Sequence, residues 1–152
     1  MKIILDAMGG DNAPDANIKG AVNAIHKVKA EVVLVGKEEV IRSKVKEFYG
    51  KEIEEISDRL KIKNATETIE MCDIPTMAIK HKKDSSMVVG FKMLKEDEGD
   101  VFISAGNSGA LLTGATLLVG RIKGIDRPAL AGILPAYHSQ LLLIDSGSNT
   151  NC

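Results

Sequence analysis

Tryptophan is missing from this sequence, and aromatic side chains make up only 3% of its 152 residues. That scarcity removes the stacking platforms on which single-stranded nucleic acids lie. No charge of either sign prevails, because 20 basic and 21 acidic side chains leave a formal net charge of −1. A chain so balanced has no long-range field to gather nucleic acid or an anionic membrane, so any anion it binds must be held locally. Cysteine is scarce too. Cys72 and Cys152 fall in no metal-spaced motif, which fits free thiols in a reducing compartment. His26, His81 and His138 have no cysteine or acidic partner at ligand spacing and read as surface residues. No metal and no cofactor are expected.

Long apolar runs are absent as well. The N-terminus meets Asp6 directly after Ile3-Ile4-Leu5, far short of a secretory leader core, and the stretch 110–120 is below the length of a spanning helix. A cytoplasmic location is the expectation. Both standard nucleotide fingerprints, G-x-G-x-x-G and G-x-x-x-x-G-K-[ST], are missing. What remains is ordinary globular composition, 44% hydrophobic and 27% charged, enough for one domain with a real core.

The most informative stretch is Asp100-Val-Phe-Ile-Ser-Ala-Gly-Asn-Ser-Gly-Ala-Leu-Leu112. Val101 to Ile103 reads as a buried strand, and 110–122 is too long and too apolar for anything but a helix. Ser104, Gly106, Asn107, Ser108 and Gly109 lie between them. Glycines allow tight bending and close approach of a ligand, and the first amides of a following helix attract an anion. An oxyanion or phosphate suits such a turn. The structural alternative is that Asn107 or Ser108 only caps the helix.

Taken in order, Lys2 to Leu5 reads as a strand that ends in Asp6-Ala-Met-Gly-Gly-Asp-Asn-Ala-Pro14. Pro14 then starts a helix whose apolar positions are Ile18, Ala21, Val22, Ile25 and Val28. Glu31 to Val35 is a second strand, and from Glu38 the spacing of Ile41, Val45 and Phe48 predicts an amphipathic helix closed by Gly50. Leu60 and Ile62, alternating with lysines, read as a short strand near a sheet edge. Pro75 opens a helix to about His81. Another follows Lys82-Lys-Asp-Ser-Ser86, with Met87, Phe91 and Leu94 inward and Gly99 as its end. The helix after the glycine turn is apolar nearly all round, so it belongs inside the fold or in a subunit interface. Ala129 to Leu134 and Leu141 to Ile144 predict a hairpin.

This alternation implies an α/β fold of three layers, a largely parallel sheet with helices on both faces. Such sheets bind ligands beyond the carboxyl ends of their strands, where Asp6, Thr66, Ser104 and Asp145 are placed. Asp6 and Asp11 bracket Gly9-Gly10 and can bind a metal or orient a basic side chain. The basic pair Lys82-Lys83 ahead of Ser85 and Ser86 forms a second arm for an anion, and Arg127 offers a bidentate clamp. Each of these also has a plain reading as a solvated loop.

The loops become specific as a set. Asp6-Ala-Met-Gly-Gly-Asp-Asn-Ala-Pro14, Glu67-Thr-Ile-Glu-Met71, Lys82-Lys-Asp-Ser-Ser-Met87, Ser104-Ala-Gly-Asn-Ser-Gly-Ala-Leu111 and Gly124-Ile-Asp-Arg-Pro-Ala-Leu130 occur in order. Together they closely resemble the bacterial phosphate acyltransferases of phospholipid synthesis. The resemblance implies a fold like that of isocitrate and isopropylmalate dehydrogenases, of which this chain is the N-terminal half. It implies transfer of a long-chain acyl group from acyl carrier protein to inorganic phosphate, giving acyl phosphate. A homodimer and peripheral association with the inner face of the membrane are implied too. The family carries His at the positions of Asn12 and Asn64 and Thr at that of Ser108. Its terminal loop reads Asp-Val-Gly-Ala-Asn-Val-Asp, against a more polar version here with Ser146, Ser148, Thr150 and Asn151.

On that basis Ser104, Gly106, Asn107, Ser108 and Gly109 are expected to hold phosphate, aided by Ser85 and Ser86, with Lys83 or Arg127 balancing charge. Asn107, Lys83 and Asp6 are the expected catalytic set, with Asn107 or another loop amide facing the oxyanion. Gly9, Gly10, Asp11, Asp145 and Asn149 are expected to support these loops.

Overall fold

The computed structural model describes residues 1–50 and 58–145, and the chain divides into two compact units, Met1–Val119 and Gly120–Cys152. In the first unit, strands β1 (Lys2–Asp6), β2 (Glu31–Gly36), β3 (Leu60–Asn64) and β4 (Val101–Ile103) form one sheet of order β3-β2-β1-β4. Every pairing is parallel. The segments joining the strands contain helices α1 (Asp15–Lys27), α2 (Glu38–Tyr49), α3 (Pro75–His81) and α4 (Ser86–Lys95). This is the expected α/β architecture.

Strand alternation divides the core between the two faces of the sheet. Ile3, Leu5, Val32, Leu34, Leu60 and Ile62 pack with the apolar face of α1 and α2, where Ile18, Val22, Ile25 and Ile41 are buried. Ile4, Val33 and Val35 point the other way, onto Val89 and Met93 of α4. Being covered on both faces is why β1 and β2 read as unbroken apolar runs. The helix ends follow their sequence signals. Pro75 is the first residue of α3, Gly50 takes φ +51 after α2, and Ser85 caps α4.

Three expectations need correction. Val101 to Ile103 is not a buried strand: β4 lies at the edge of this sheet, and Val101 and Ile103 are 36% and 46% exposed. Gly99 does not end α4. That helix stops at Lys95, Asp97 makes the left-handed turn, and a Cβ on Gly99 would lie 2.6 Å from the Ile4 side chain. The long apolar helix is shorter than foreseen, with α5 (Ser108–Gly114) giving way to a π-helical turn over Ala115–Val119. Only Ala110 and Gly114 of this segment are buried, and Leu117 is 66% exposed, so it is not enclosed within this unit. Gly114 faces the Phe91 ring so closely that a Cβ would overlap it, which fixes where α5 crosses α4.

In the second unit, β5 (Ala131–Pro135) and β6 (Gln140–Ile144) form the foreseen antiparallel hairpin, with Ala131 opposite Ile144 and Pro135 opposite Gln140. Among the described residues no helix is long and apolar enough to cross a membrane.

Candidate functional site

Because the four strands run the same way, their carboxyl ends share one side of the sheet. Register places Asp6 beside Val35, Gly36 beside Asn64, and Leu5 beside Ile103. The loops that leave β1 and β4 therefore start as neighbours, although 98 residues separate Asp6 from Ser104.

Asp6 is buried, with 2% of its surface exposed. Its Oδ2 accepts a hydrogen bond from the Ser104 hydroxyl at 2.7 Å, and its Oδ1 accepts one from the Met8 amide at 3.0 Å. Ser104 Oγ in turn accepts the Gly106 amide at 3.1 Å. The carboxylate thus organises both loops, and among the described residues of this unit no basic group touches it. That differs from the expected role of orienting a basic group such as Lys83. Asp11, its expected companion, is exposed and makes no hydrogen bond or ion pair among the described residues.

Glycine is required where these loops meet. A Cβ on Gly9 would stand 2.5 Å from Asp6 Oδ2 and 3.0 Å from the Gly106 nitrogen, while one on Gly106 would stand 3.2 Å from the Gly9 Cα. Only bare backbone allows that approach. Gly10 adds a φ of +108°, which L side chains rarely adopt.

The interlocked loops leave backbone donors open. The amides of Gly9, Gly10, Asp11 and Asn12 have no hydrogen-bond partner among the described residues, nor do those of Asn107, Ser108 and Gly109. An amide without a protein partner must be met by water or by an acceptor from outside.

Asn107 plays a different part from the one foreseen for its side chain. It is 7% exposed, and its Nδ2 donates to the carbonyls of Glu70, Met71 and Asp73 at 3.2, 3.3 and 3.1 Å. Its Oδ1 accepts the Ala110 amide at 2.9 Å, the cap of α5. The side chain is therefore fully engaged inside the protein, and Asn107 offers a ligand only its backbone. Ser108 is exposed and Gly109 packs on Pro75, where a Cβ would come within 2.7 Å of the ring.

The second arm is closed in a similar sense. Ser85 is fully buried, its hydroxyl donating to the Lys82 carbonyl at 2.7 Å and accepting the Val88 amide at 3.4 Å. The Ser86 amide bonds the Glu67 carbonyl at 3.2 Å. Lys83 is exposed and its ammonium has no partner among the described residues, which leaves it able to reach an anion. Lys82 is the held lysine, 2.5 Å from Asp73 Oδ2 and 2.9 Å from the Thr68 carbonyl.

Two carboxylates of this region stay ionised more readily than usual. The Lys82 ammonium, then the Glu70 amide, lowers the pKa of Asp73. The Thr66 hydroxyl, at 2.5 Å, and the Thr66 amide do the same for Asp84. A groove of about 550 Å³ opens beyond the ends of β2 and β3, between Lys37, Arg42, Asn64 and Thr66, and neither Asp6 nor Ser104 lines it. In the second unit Arg127 is exposed, and the Asp145 amide bonds the Leu130 carbonyl at 2.7 Å. Asn149 lies outside the described residues.

Sequence reasoning missed Asn17, whose amide nitrogen lies within 3.2 Å of the carbonyls of Asp6, Ala7 and Gly9. It also missed Asp73 and Asp84 as the partners of the 66–86 region. The signal for Asn17 was available: an asparagine in the first turn of a helix just after a glycine loop.

A family model described as a fatty acid synthesis protein matches residues 1–152. The chain belongs to that family. Among its relatives is the phosphate acyltransferase of Thermoanaerobacter pseudethanolicus, 51% identical over 153 residues, which span all of this chain and 43% of that protein. The phosphate acyltransferase of Acetivibrio thermocellus is 52% identical, with all of this chain matched to 44% of it. The phosphate acyltransferase of Clostridioides difficile is 47% identical over the same shares. This member of the fatty acid synthesis protein family thus spans less than half the length of these relatives.

Proposed function

We propose that this chain is the N-terminal portion of a phosphate acyltransferase domain that moves a long-chain acyl group from acyl carrier protein to inorganic phosphate. The observation that carries the reading is the pair of interlocked loops with unpartnered amides at Gly9–Asn12 and Asn107–Gly109, in a chain about half identical to proteins named phosphate acyltransferase. The homodimer and the peripheral association with the inner membrane face belong to the same proposal.

The chemistry suits such a site. Phosphate is already an anionic nucleophile at neutral pH and a thioester has a good leaving group, so placement and charge stabilisation dominate. A phosphate oxygen attacks the thioester carbonyl carbon, a C–O bond forms, the C–S bond breaks, and the thiolate leaves and takes up a proton. The loop amides hold the tetrahedral anion, each bond to an ion contributing about 1.5–3 kcal/mol. Another loop amide faces the carbonyl oxygen as it becomes negative. Lys83 balances charge, and Ser108 supplies a hydroxyl. Asp6, Ser104, Ser85 and Asn107 act by fixing the loops.

The test is acyl-phosphate formation by the intact protein with acyl carrier protein and coenzyme A thioesters offered in parallel. Phosphate-dependent turnover preferring the carrier-protein thioester is the expected result. Preference for short coenzyme A thioesters would overturn the substrate assignment, and phosphate binding without turnover on either donor would overturn the enzymatic one.

A further inference from the structure

On the helix side of the β1–α1 loop, the side chain of Asn17 reaches back across it. Its single amide nitrogen lies 3.2 Å from the Asp6 carbonyl, 3.1 Å from that of Ala7 and 2.8 Å from that of Gly9. Three peptide groups of one short loop thus turn their oxygens toward one donor. A peptide plane carries its N–H opposite its C=O, so fixing the carbonyls fixes the amides of the residues that follow. The following amide of Met8 is taken by Asp6, and that of Gly10 has no partner among the described residues. Asn107 acts the other way round, reaching out of its own loop to the carbonyls of Glu70, Met71 and Asp73 in the 70–73 turn.

The anchor point is rigid. Asn17 sits in the first turn of α1, followed at once by Ile18, which is fully buried. The loop has few other bonds to hold it, since among 9–12 only the carbonyls of Gly10 and Asn12 engage a backbone amide, those of Ala13 and Ala16. Without Asn17, the Gly9-Gly10 backbone, with its φ of +108° at Gly10, would have little to choose one orientation.

We propose that Asn17 is a positioning residue, which orients the β1–α1 loop so that its amides stay presented to the bound anion. The proposal rests on the phosphate-binding reading given above, and it deepens that reading by assigning the loop's geometry to one side chain. Asn17 touches no substrate. Its loss therefore acts on the capture of phosphate and not on the acyl donor.

The experiment compares wild type, Asn17→Ala and Asn17→Asp in the intact protein. Alanine removes the donors while keeping the helix, and aspartate keeps the shape but sets a carboxylate against three carbonyls. The expected result is a rise of about tenfold in KM for inorganic phosphate in Asn17→Ala, and more in Asn17→Asp, with KM for the acyl donor unchanged. Lowered backbone order parameters at Gly9–Asn12, with the Asn107–Gly109 amides unaffected, should accompany it. An unchanged KM for phosphate, or a fall in activity that follows only a lower Tm and affects both substrates alike, would overturn the proposal. The relaxation measurement separates this inference from the broader reading. Wild type that binds no phosphate refutes the phosphate site, while order parameters unchanged on substitution refute the role of Asn17 by themselves.

Discussion

The turns 104–109 and 82–86 look alike as sequence, since both are short, polar, rich in hydroxyls and followed by a helix, and their structures differ in one decisive respect. In 82–86 every backbone amide is paired: Lys82 with Ala78, Lys83 with His81, Asp84 with the Glu67 carboxylate, Ser85 with Lys82 and Ser86 with Glu67. In 104–109 the amides of Asn107, Ser108 and Gly109 are open, and so are those of Gly9 to Asn12 in the loop packed against it. A loop closed on itself can offer a ligand only side chains, whereas an open one offers fixed dipoles that need no reorganisation when charge develops. The difference lies in what each side chain does. The Asn107 side chain caps α5 at Ala110 and leaves its own amide open, while the Glu67 carboxylate takes the amide of Asp84.

The largest effect is expected where the open pair of loops meets. Gly9→Ala puts a Cβ 2.5 Å from Asp6 Oδ2, forces the two loops apart, and should lower acyl-phosphate formation by about 10²-fold or more, read as kcat/KM for phosphate. Turnover near wild type would show that the loops need not interlock.

Asn107→Ala comes next. It removes the α5 cap and three bonds to the 70–73 turn, and should cost about 2–4 kcal/mol in urea unfolding. Activity should fall along with stability. Full stability with abolished turnover would restore a direct role for this side chain.

In the closed region acid should act through Asp73 and Asp84. Asp73 and Asp84 have folded pKa values below their unfolded ones, so the stability they contribute is present above about pH 4 and is lost as pH falls further, through the lowered folded values. The amides of Thr66 and Glu70, which donate to Asp84 and Asp73, should therefore report titration midpoints below the ordinary carboxylate range. Midpoints at the ordinary carboxylate value would contradict the bonds assigned to these two side chains. The smallest effect belongs to Lys83→Ala. Loss of an exposed lysine with no partner among the described residues should change stability by less than about 0.5 kcal/mol, while raising KM for phosphate by a few-fold through lost charge.

Much of this fold was legible because its local signals agree with one another. Apolar runs marked β1 and β2, the 3.6-residue period marked α1 and α2, and Pro75 marked the start of α3. Strand order and edges were not legible, because no local property of Val101-Phe-Ile103 says whether another strand lies beside it. Nor was the break from α5 into the π-helical turn, whose residues carry no proline and no charge to signal it. At the site, residue types identified the right loops, but side-chain direction was hidden. Lys82 and Lys83 are neighbours in sequence, yet one is tied to Asp73 and the other is exposed. The Asp6–Ser104 bond depends on sheet register, which only the paired strands reveal.

The central claim is that main-chain donors from two glycine loops hold a tetrahedral anion, and backbone amide shifts during a titration with inorganic phosphate test it most directly. Saturable shifts at Gly9 to Asn12 and at Asn107 to Gly109, sharing one dissociation constant while 82–86 stays still apart from the residues nearest the Lys83 side chain, are what the account predicts. Shifts centred on the 82–86 amides, or none in either glycine loop, would contradict it.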